Sequence, residues 1–343
     1  MTLSPVKRLV FALVSITGSF ALMLAALFGA DLYAHQRVER SAGLNRHGYR
    51  GTVVGRKQPS EVRVVMLGGS TVFGFDVEVE ETIPAQLERV VATVEPNVRV
   101  VNLGYHQEAA IAFVPTLRSY EYLNYDIVVL YEGYNDILGD AAPNNTHRRH
   151  GSPVFRAFGY FPVLPLVLRE KATFLRQGTG GAQAVFRPGL GNRTSATALD
   201  ATSAIAEALN RQLDRVVDPV DVAPHRGTGC GAPWSHYCNS IDAAVRYARD
   251  RGKHVLVVGQ PRLAYGEAER HASQQRALSE MIAREFAGDP RVRYVDAGNA
   301  VDLSNSQIAF DGMHLSAAGN ATVAEELVAP LRQLIGMRQD HGK

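Results

Sequence analysis

Five short apolar runs, rich in β-branched residues and separated by helix-like stretches, constrain the fold of this chain more than any other feature. They are VRVVML (62–67), VRVVNL (98–103), YDIVVLYEG (125–133), HVLVVG (254–259) and VRYVDA (292–297). Their apolar residues run continuously rather than alternating with polar ones, so each predicts a strand covered on both faces. Helix-like stretches stand between and after them: from Pro84 to about Val94, NSIDAAVRYARD, EAERHASQQRALSEMIAREF, and LSAAGNATVAEELVAPLRQLI with Ser316 as its candidate N-cap. This alternation predicts an α/β fold built on a parallel sheet of about five strands. Ligands collect at the carboxyl ends of such strands, so the residues just after each run are the ones to inspect.

The N-terminus carries a second constraint. After Lys7 and Arg8, residues 9–30 contain no charged side chain. As a helix these 22 residues would span about 30 Å, the thickness of a bilayer's hydrocarbon core. The run is longer than the usual signal-peptide core, which favours a retained membrane anchor over a cleaved signal. The flanking Lys7 and Arg8 favour a cytoplasmic N-terminus and an extracytoplasmic domain, periplasmic in a Gram-negative cell. Residues 31–60, polar and basic with scattered glycines, read as a juxtamembrane connector, and residues 61–343 as the domain proper.

Between the third and fourth runs lies an excess of about a hundred residues, far more than a crossover needs. It reads as an insertion at about 140–240. It holds the stretch FRAFGYFPVLPLVL (155–168), a Gly/Thr-rich patch (178–196), a helical run near 203–217, and the loop CGAPWSHYC. The aromatic stretch could cover a site, touch a membrane, or pack locally. Cys230 and Cys238 form a disulfide in an oxidising compartment or remain two thiols otherwise. No nearby spacing supplies the further ligands of a zinc site, and no metal or other cofactor is expected.

The strand ends supply a distinctive set. The first yields Gly68-Gly69-Ser70-Thr71, the second Asn102-Leu103-Gly104, and the third Gly133-Tyr134-Asn135-Asp136; near the terminal helix comes Asp311-Gly312-Met313-His314. Each fits a role in acyl transfer. A serine hydroxyl needs a base within reach, and an imidazole titrates near working pH. That imidazole must be held in one tautomer, which Asp311 can do for His314. A developing oxyanion wants donors, here the Ser70 and Gly104 N–H groups and the Asn135 amide. Asp136 reads as a brace for this loop or as a helix cap. His106, His147, His150 and His236 carry no partner pattern.

The ordered set G-G-S, N-L-G, G-x-N-D and D-x-x-H resembles the SGNH (GDSL) hydrolase superfamily, over roughly residues 60–335. The resemblance implies a flavodoxin-like three-layer fold and metal-free ester hydrolysis or acyl transfer. It implies Ser70 as nucleophile, His314 as base, Asp311 as its orienter, and Gly104 and Asn135 as oxyanion donors. The chain departs from the family's G-D-S at one position, where Gly69 stands for the aspartate. Variants reading GGST resemble a bacterial subset that often carries an N-terminal membrane helix.

Other classes fit less well. A net charge of +2 over 343 residues gives no concentrated basic surface for nucleic acid. GGSTVFG lacks the lysine of a phosphate-binding loop, since no lysine occurs between Lys57 and Lys171. The expected substrate is an acylated glycan or lipid ester of the envelope, with O-acyl transfer to a glycan acceptor or a non-catalytic glycan-binding or assembly module as the rivals; protein partners are not legible.

Overall fold

A computed structural model describes residues 4–145, 147, 152–167 and 228–340. The expected Gly/Thr-rich patch and the helical run near 203–217 lie outside them, as does His150. The chain divides into two compact units, residues 1–41 with 162–211 and residues 42–161 with 212–343.

In the first unit, helix α1 runs from Pro5 to Ala42, 38 residues with a window of mean hydropathy 2.2. It is long and apolar enough to cross a membrane, and its apolar side chains before Asp31, among them Leu9, Phe11, Val14 and Phe20, are exposed. It extends well past the apolar run, because the polar stretch beyond Ala30 holds few helix breakers. The Leu164 N–H donates to Asp31 Oδ1 at 2.6 Å within this unit.

The second unit is built on strands β1 (Val62–Gly68), β2 (Val98–Asn102), β3 (Ile127–Tyr131), β4 (His254–Gly259) and β5 (Val292–Asp296). All pair in parallel, in the order β2-β1-β3-β4-β5. This is the flavodoxin-like doubly wound order. The sequence-based strand positions agree with these bounds to within a few residues. β1, β3 and β4 are buried along their whole length, as continuous apolar runs require, whereas edge strand β5 is only partly covered.

Residue parity assigns the two faces. Val64, Met66, Ile127, Val129, Leu256 and Val258 point to one side. There they meet Ile83, Leu87 and Val91 of α3 (Ile83–Val91; α2 is introduced below) and Val323, Leu327 and Leu331 of the C-terminal helix α8 (Ala317–Asp340). Ser316 caps that helix by accepting from the Gly319 N–H at 3.2 Å, as its sequence predicts. The alternate residues Val65, Leu67, Val128, Leu130, Val255 and Val257 are buried on the other side. That layer holds α4 (Phe113–Ser119), α6 (Ser235–Asp250) and α7 (Ala268–Glu285).

The aromatic stretch contains the short helix α5 (Pro153–Phe158). Phe155 and Phe161 are buried and meet edge-on, centroids 6.2 Å apart, with Phe155 also against Tyr120 and Phe161 against Tyr105. Of the three readings, these two side chains take local packing, while Phe158 stays exposed. Cys230 and Cys238 are joined as a disulfide, Cα atoms 5.6 Å apart, which ties the preceding loop to the start of α6.

Candidate active site

Strand order reverses between β1 and β3, where the chains that follow diverge to opposite sides and leave a crevice. Ser70 comes two residues after β1 and Asn135 four residues after β3, so topology alone brings them to one place. Ser70 is the first residue of a single helical turn, α2 (Ser70–Phe73), which ends at Gly74 in the left-handed conformation. Seating that turn against the loop after β2 needs a bare backbone. A Cβ on Gly104 would lie 2.4 Å from the Phe73 nitrogen and 2.8 Å from the Val72 carbonyl carbon.

Across this turn, Ser70 Oγ lies 2.8 Å from His314 Nε2, and His314 Nδ1 lies 2.6 Å from Asp311 Oδ2. Asp311 Oδ1 also accepts the N–H groups of His314 at 2.7 Å and Met313 at 3.0 Å. Partial burial pulls the Asp311 pKa up, but the hydrogen bonds from the His314 ring and these two amides outweigh it, and the net shift is downward. An ionised Asp311 keeps the proton on Nδ1 and leaves the Nε2 lone pair for the serine hydroxyl. The Phe75 ring stands 4.7 Å from the imidazole, and the half-exposed Phe310 stacks near it at 6.3 Å.

The expected oxyanion donors are close by, yet two already have acceptors. The Gly104 N–H donates to Asn102 Oδ1 at 2.9 Å. Asn135 Nδ2 donates to the Glu108 carbonyl oxygen at 3.1 Å and to Glu132 Oε1 at 3.3 Å. Among the described residues, no acceptor stands against the Ser70 N–H. Asp136 accepts the Ala110 N–H at 2.9 Å and so braces the loop after β2 against the loop after β3. Gly133 is packed against the amides of Gln274, Gln275 and Gln260, which leave no room for a side chain.

Three residues to which the motif reading gave no role shape the site. Arg50 is buried and donates to the Phe73 carbonyl oxygen at 2.6 Å and to those of Gly74 and Val77, so it grips the turn that follows the serine. Burial lowers its pKa to about 10 against the pull of Glu78, Glu80 and Glu81. Asn102 donates to the Val72 carbonyl oxygen at 2.8 Å while accepting from Gly104, joining the same turn to the second loop. Glu132, buried at the end of β3, accepts the N–H groups of Gly133 and Asn135. Burial drives its pKa up, as it does that of Asp136, which faces it and is raised further by its charge.

The remaining histidines stay out of this chain of contacts. His106 is buried with its ring 4.2 Å from that of Phe73, and His147 Nδ1 lies 3.5 Å from a Glu108 carboxylate oxygen. Among the described residues, no group of three His, Cys, Asp or Glu side chains is placed to hold a metal ion.

No family model and no curated protein matches the chain. Solved structures do. A family 3 carbohydrate esterase from Clostridium thermocellum matches at 12% identity and TM-score 0.43, over 81% of this chain and 98% of that one. The acetylxylan esterase Axe2 from Geobacillus stearothermophilus matches at 12% identity and TM-score 0.43, over 81% and 96%. A member of the lipolytic G-D-S-L family from Veillonella parvula matches at 10% identity and TM-score 0.40, over 78% and 97%. At identities and scores this low, the fold rests on this chain's own strand order and the chemistry on its own side chains.

Proposed function

We propose that this chain is a membrane-anchored serine esterase of the SGNH type, acting outside the cytoplasm on ester-linked acyl groups. The observation that carries the reading is the hydrogen-bonded series from Ser70 through His314 to Asp311. His314 takes the serine proton as Oγ attacks the ester carbonyl, and Asp311 stabilises the imidazolium that results. The Ser70 N–H meets the oxyanion first. Gly104 and Asn135 join it as the substrate oxygen replaces Asn102 Oδ1 and Glu132 Oε1 as their acceptor. His314 returns the proton to the leaving alcohol. It then activates water, which releases the acyl group and frees the serine.

Two features support the location. α1 is long and apolar enough to anchor the chain. The Cys230–Cys238 disulfide suits an oxidising compartment. At the envelope the available esters are O-acetylated glycans and lipid esters, and these are the substrate classes assigned. The direct test is fluorophosphonate labelling of the full chain in detergent. Wild type should label and Ser70→Ala should not; an unlabelled wild type, or label that persists without the serine, rules the nucleophile out. Retention of the intact N-terminus in the membrane fraction tests the anchor separately.

A further inference from the structure

The glycine before the serine is the departure that the family resemblance leaves unexplained, and its surroundings give it a role. Its φ of −80° is open to any residue, so φ does not demand glycine here. Space does. A Cβ on Gly69 would lie 2.1 Å from Asn135 Nδ2 and 2.8 Å from Glu132 Oε2. What occupies the place of a side chain at 69 is therefore a carboxylate and an amide delivered from the end of β3.

We propose that Glu132 is the positioning residue of the oxyanion side of this site, and that Gly69 is the gap that admits its carboxylate. This rests on the esterase reading above. Glu132 Oε1 accepts the N–H of Gly133 at 2.9 Å, the N–H of Asn135 at 3.0 Å and the side-chain Nδ2 of Asn135 at 3.3 Å. The second oxygen, Oε2, lies against Gly69. One acid thus packs against the turn that presents the nucleophile while it grips the loop that presents the amide.

The arrangement also decides which way the Asn135 amide points. Nδ2 is held between two acceptors, Glu132 Oε1 and the Glu108 carbonyl oxygen. A flipped amide would set its own oxygen against both, which is unfavourable on each side. The donor end is therefore fixed beside Gly69, one residue from the serine. Of its two bonds, the longer one to Glu132 is the one that a stronger, charged acceptor forming at Ser70 would take over. Electrostatic stabilisation of this kind is effective when the donor is oriented before charge develops. Among the described residues, the titratable groups that Glu132 acts on are Asp136, Tyr131, Tyr134 and Tyr237, none of them a cation, so hydrogen-bond donors hold the acid in place.

The family's aspartate and this chain's glutamate therefore compete for one space. An aspartate at 69 is incompatible with Glu132; with a small residue at 132, the Asn135 amide has room to shift out of its way. The test is steady-state kinetics of the full chain in detergent on a short-chain p-nitrophenyl ester, with the thermal midpoint recorded for each variant. Glu132→Gln keeps the shape but turns an amide N–H₂ toward Gly69 or, flipped, toward the N–H groups of Gly133 and Asn135, and kcat should fall about 100-fold with KM nearly unchanged. Gly69→Asp alone should be impaired as severely. The double variant Gly69→Asp/Glu132→Ala should recover at least about tenfold over either Gly69→Asp or Glu132→Ala. Wild-type kcat in Glu132→Gln overturns the proposal. If Glu132→Gln loses stability as well as rate, the double variant decides: recovery supports positioning and its absence overturns it. A wild type that neither labels nor turns over fails the esterase reading instead, so the two failures are distinguishable.

Discussion

Arg50 donates to the Phe73 carbonyl oxygen at 2.6 Å from a guanidinium that is 6% exposed, and the same planar group lies 4.7 Å above the Phe73 ring. With the carbonyls of Gly74 and Val77 it closes the turn that carries Ser70. Among the described residues, no carboxylate pairs with it directly; Glu78, Glu80 and Glu81 act from a distance.

Replacing that guanidinium leaves several carbonyl oxygens in a dry turn without a donor. Arg50→Met should cost on the order of 3 kcal/mol in denaturant unfolding, the penalty of buried acceptors that lose a charged donor. Arg50→Lys should recover only a minor part of this, because one ammonium cannot span three carbonyls with the geometry of a fork. Equal stability of the lysine and arginine proteins would show that charge alone, not the fork, is what the turn uses.

His314 and Asp311 should separate in kinetics. Removing the proposed base in His314→Ala should lower kcat by several orders of magnitude with KM little changed. Asp311→Asn should lose less, because Asp311 is 40% exposed on its side chain and water can partly replace it in orienting the ring. The check is the ratio of the two kcat values on one ester. Equal losses would mean that the carboxylate does more than orient the imidazole.

The sheet was legible because its strands are buried on both faces. VRVVML and IVVLY have no polar partner face to hide, so their continuous apolar runs announce a covered parallel sheet. The meeting of Asp311 with His314 was legible for a local reason: they are three residues apart in one loop. Ser70 and His314 are 244 positions apart, and only the argument that strand ends converge predicts their approach. Arg50 was not legible. It lies in a polar, basic segment that reads as a connector, and its partners are backbone carbonyls, which every residue carries and no sequence pattern marks. Leu44, Asn45 and Tyr49 beside it are likewise buried. Glu132 was missed for a related reason. A single glutamate after a strand reads as solvated, and its burial depends on a missing side chain at Gly69, far away in sequence. The signal, had it been weighed, was the joint occurrence of a bare G-G-S and an acid just before G-x-N-D.

The disulfide offers a test of both stability and location. It closes a short loop, with cysteines eight positions apart. Chain-entropy reasoning puts its contribution at about 2–3 kcal/mol. A Cys230→Ser/Cys238→Ser protein should therefore unfold at lower denaturant than wild type by that amount. In cells, thiol alkylation before and after reduction should find both cysteines blocked. Free thiols would argue for a domain on the cytoplasmic side.

His106 sets an acid limit on the fold. Burial first, then the His314 and Arg50 charges, lowers its pKa to about 3 from the usual 6.5. The other faces of the ring meet Phe73 and Phe75. Above pH 6.5 both folded and unfolded chains hold this imidazole neutral, so it costs nothing there. As pH falls below that value the unfolded chain takes up a proton that the folded chain refuses, and stability falls with pH until about pH 3. One such proton is worth up to about 1.4 kcal/mol per pH unit. His106→Phe keeps a ring between its aromatic neighbours and removes the titration. Between about pH 7 and about pH 5.5, wild type should lose about 1 kcal/mol more than this variant in paired denaturant titrations. Parallel curves would mean that the imidazole is protonated in the folded protein, and that the contact between His106 and Phe73 opens to water well above the acid limit.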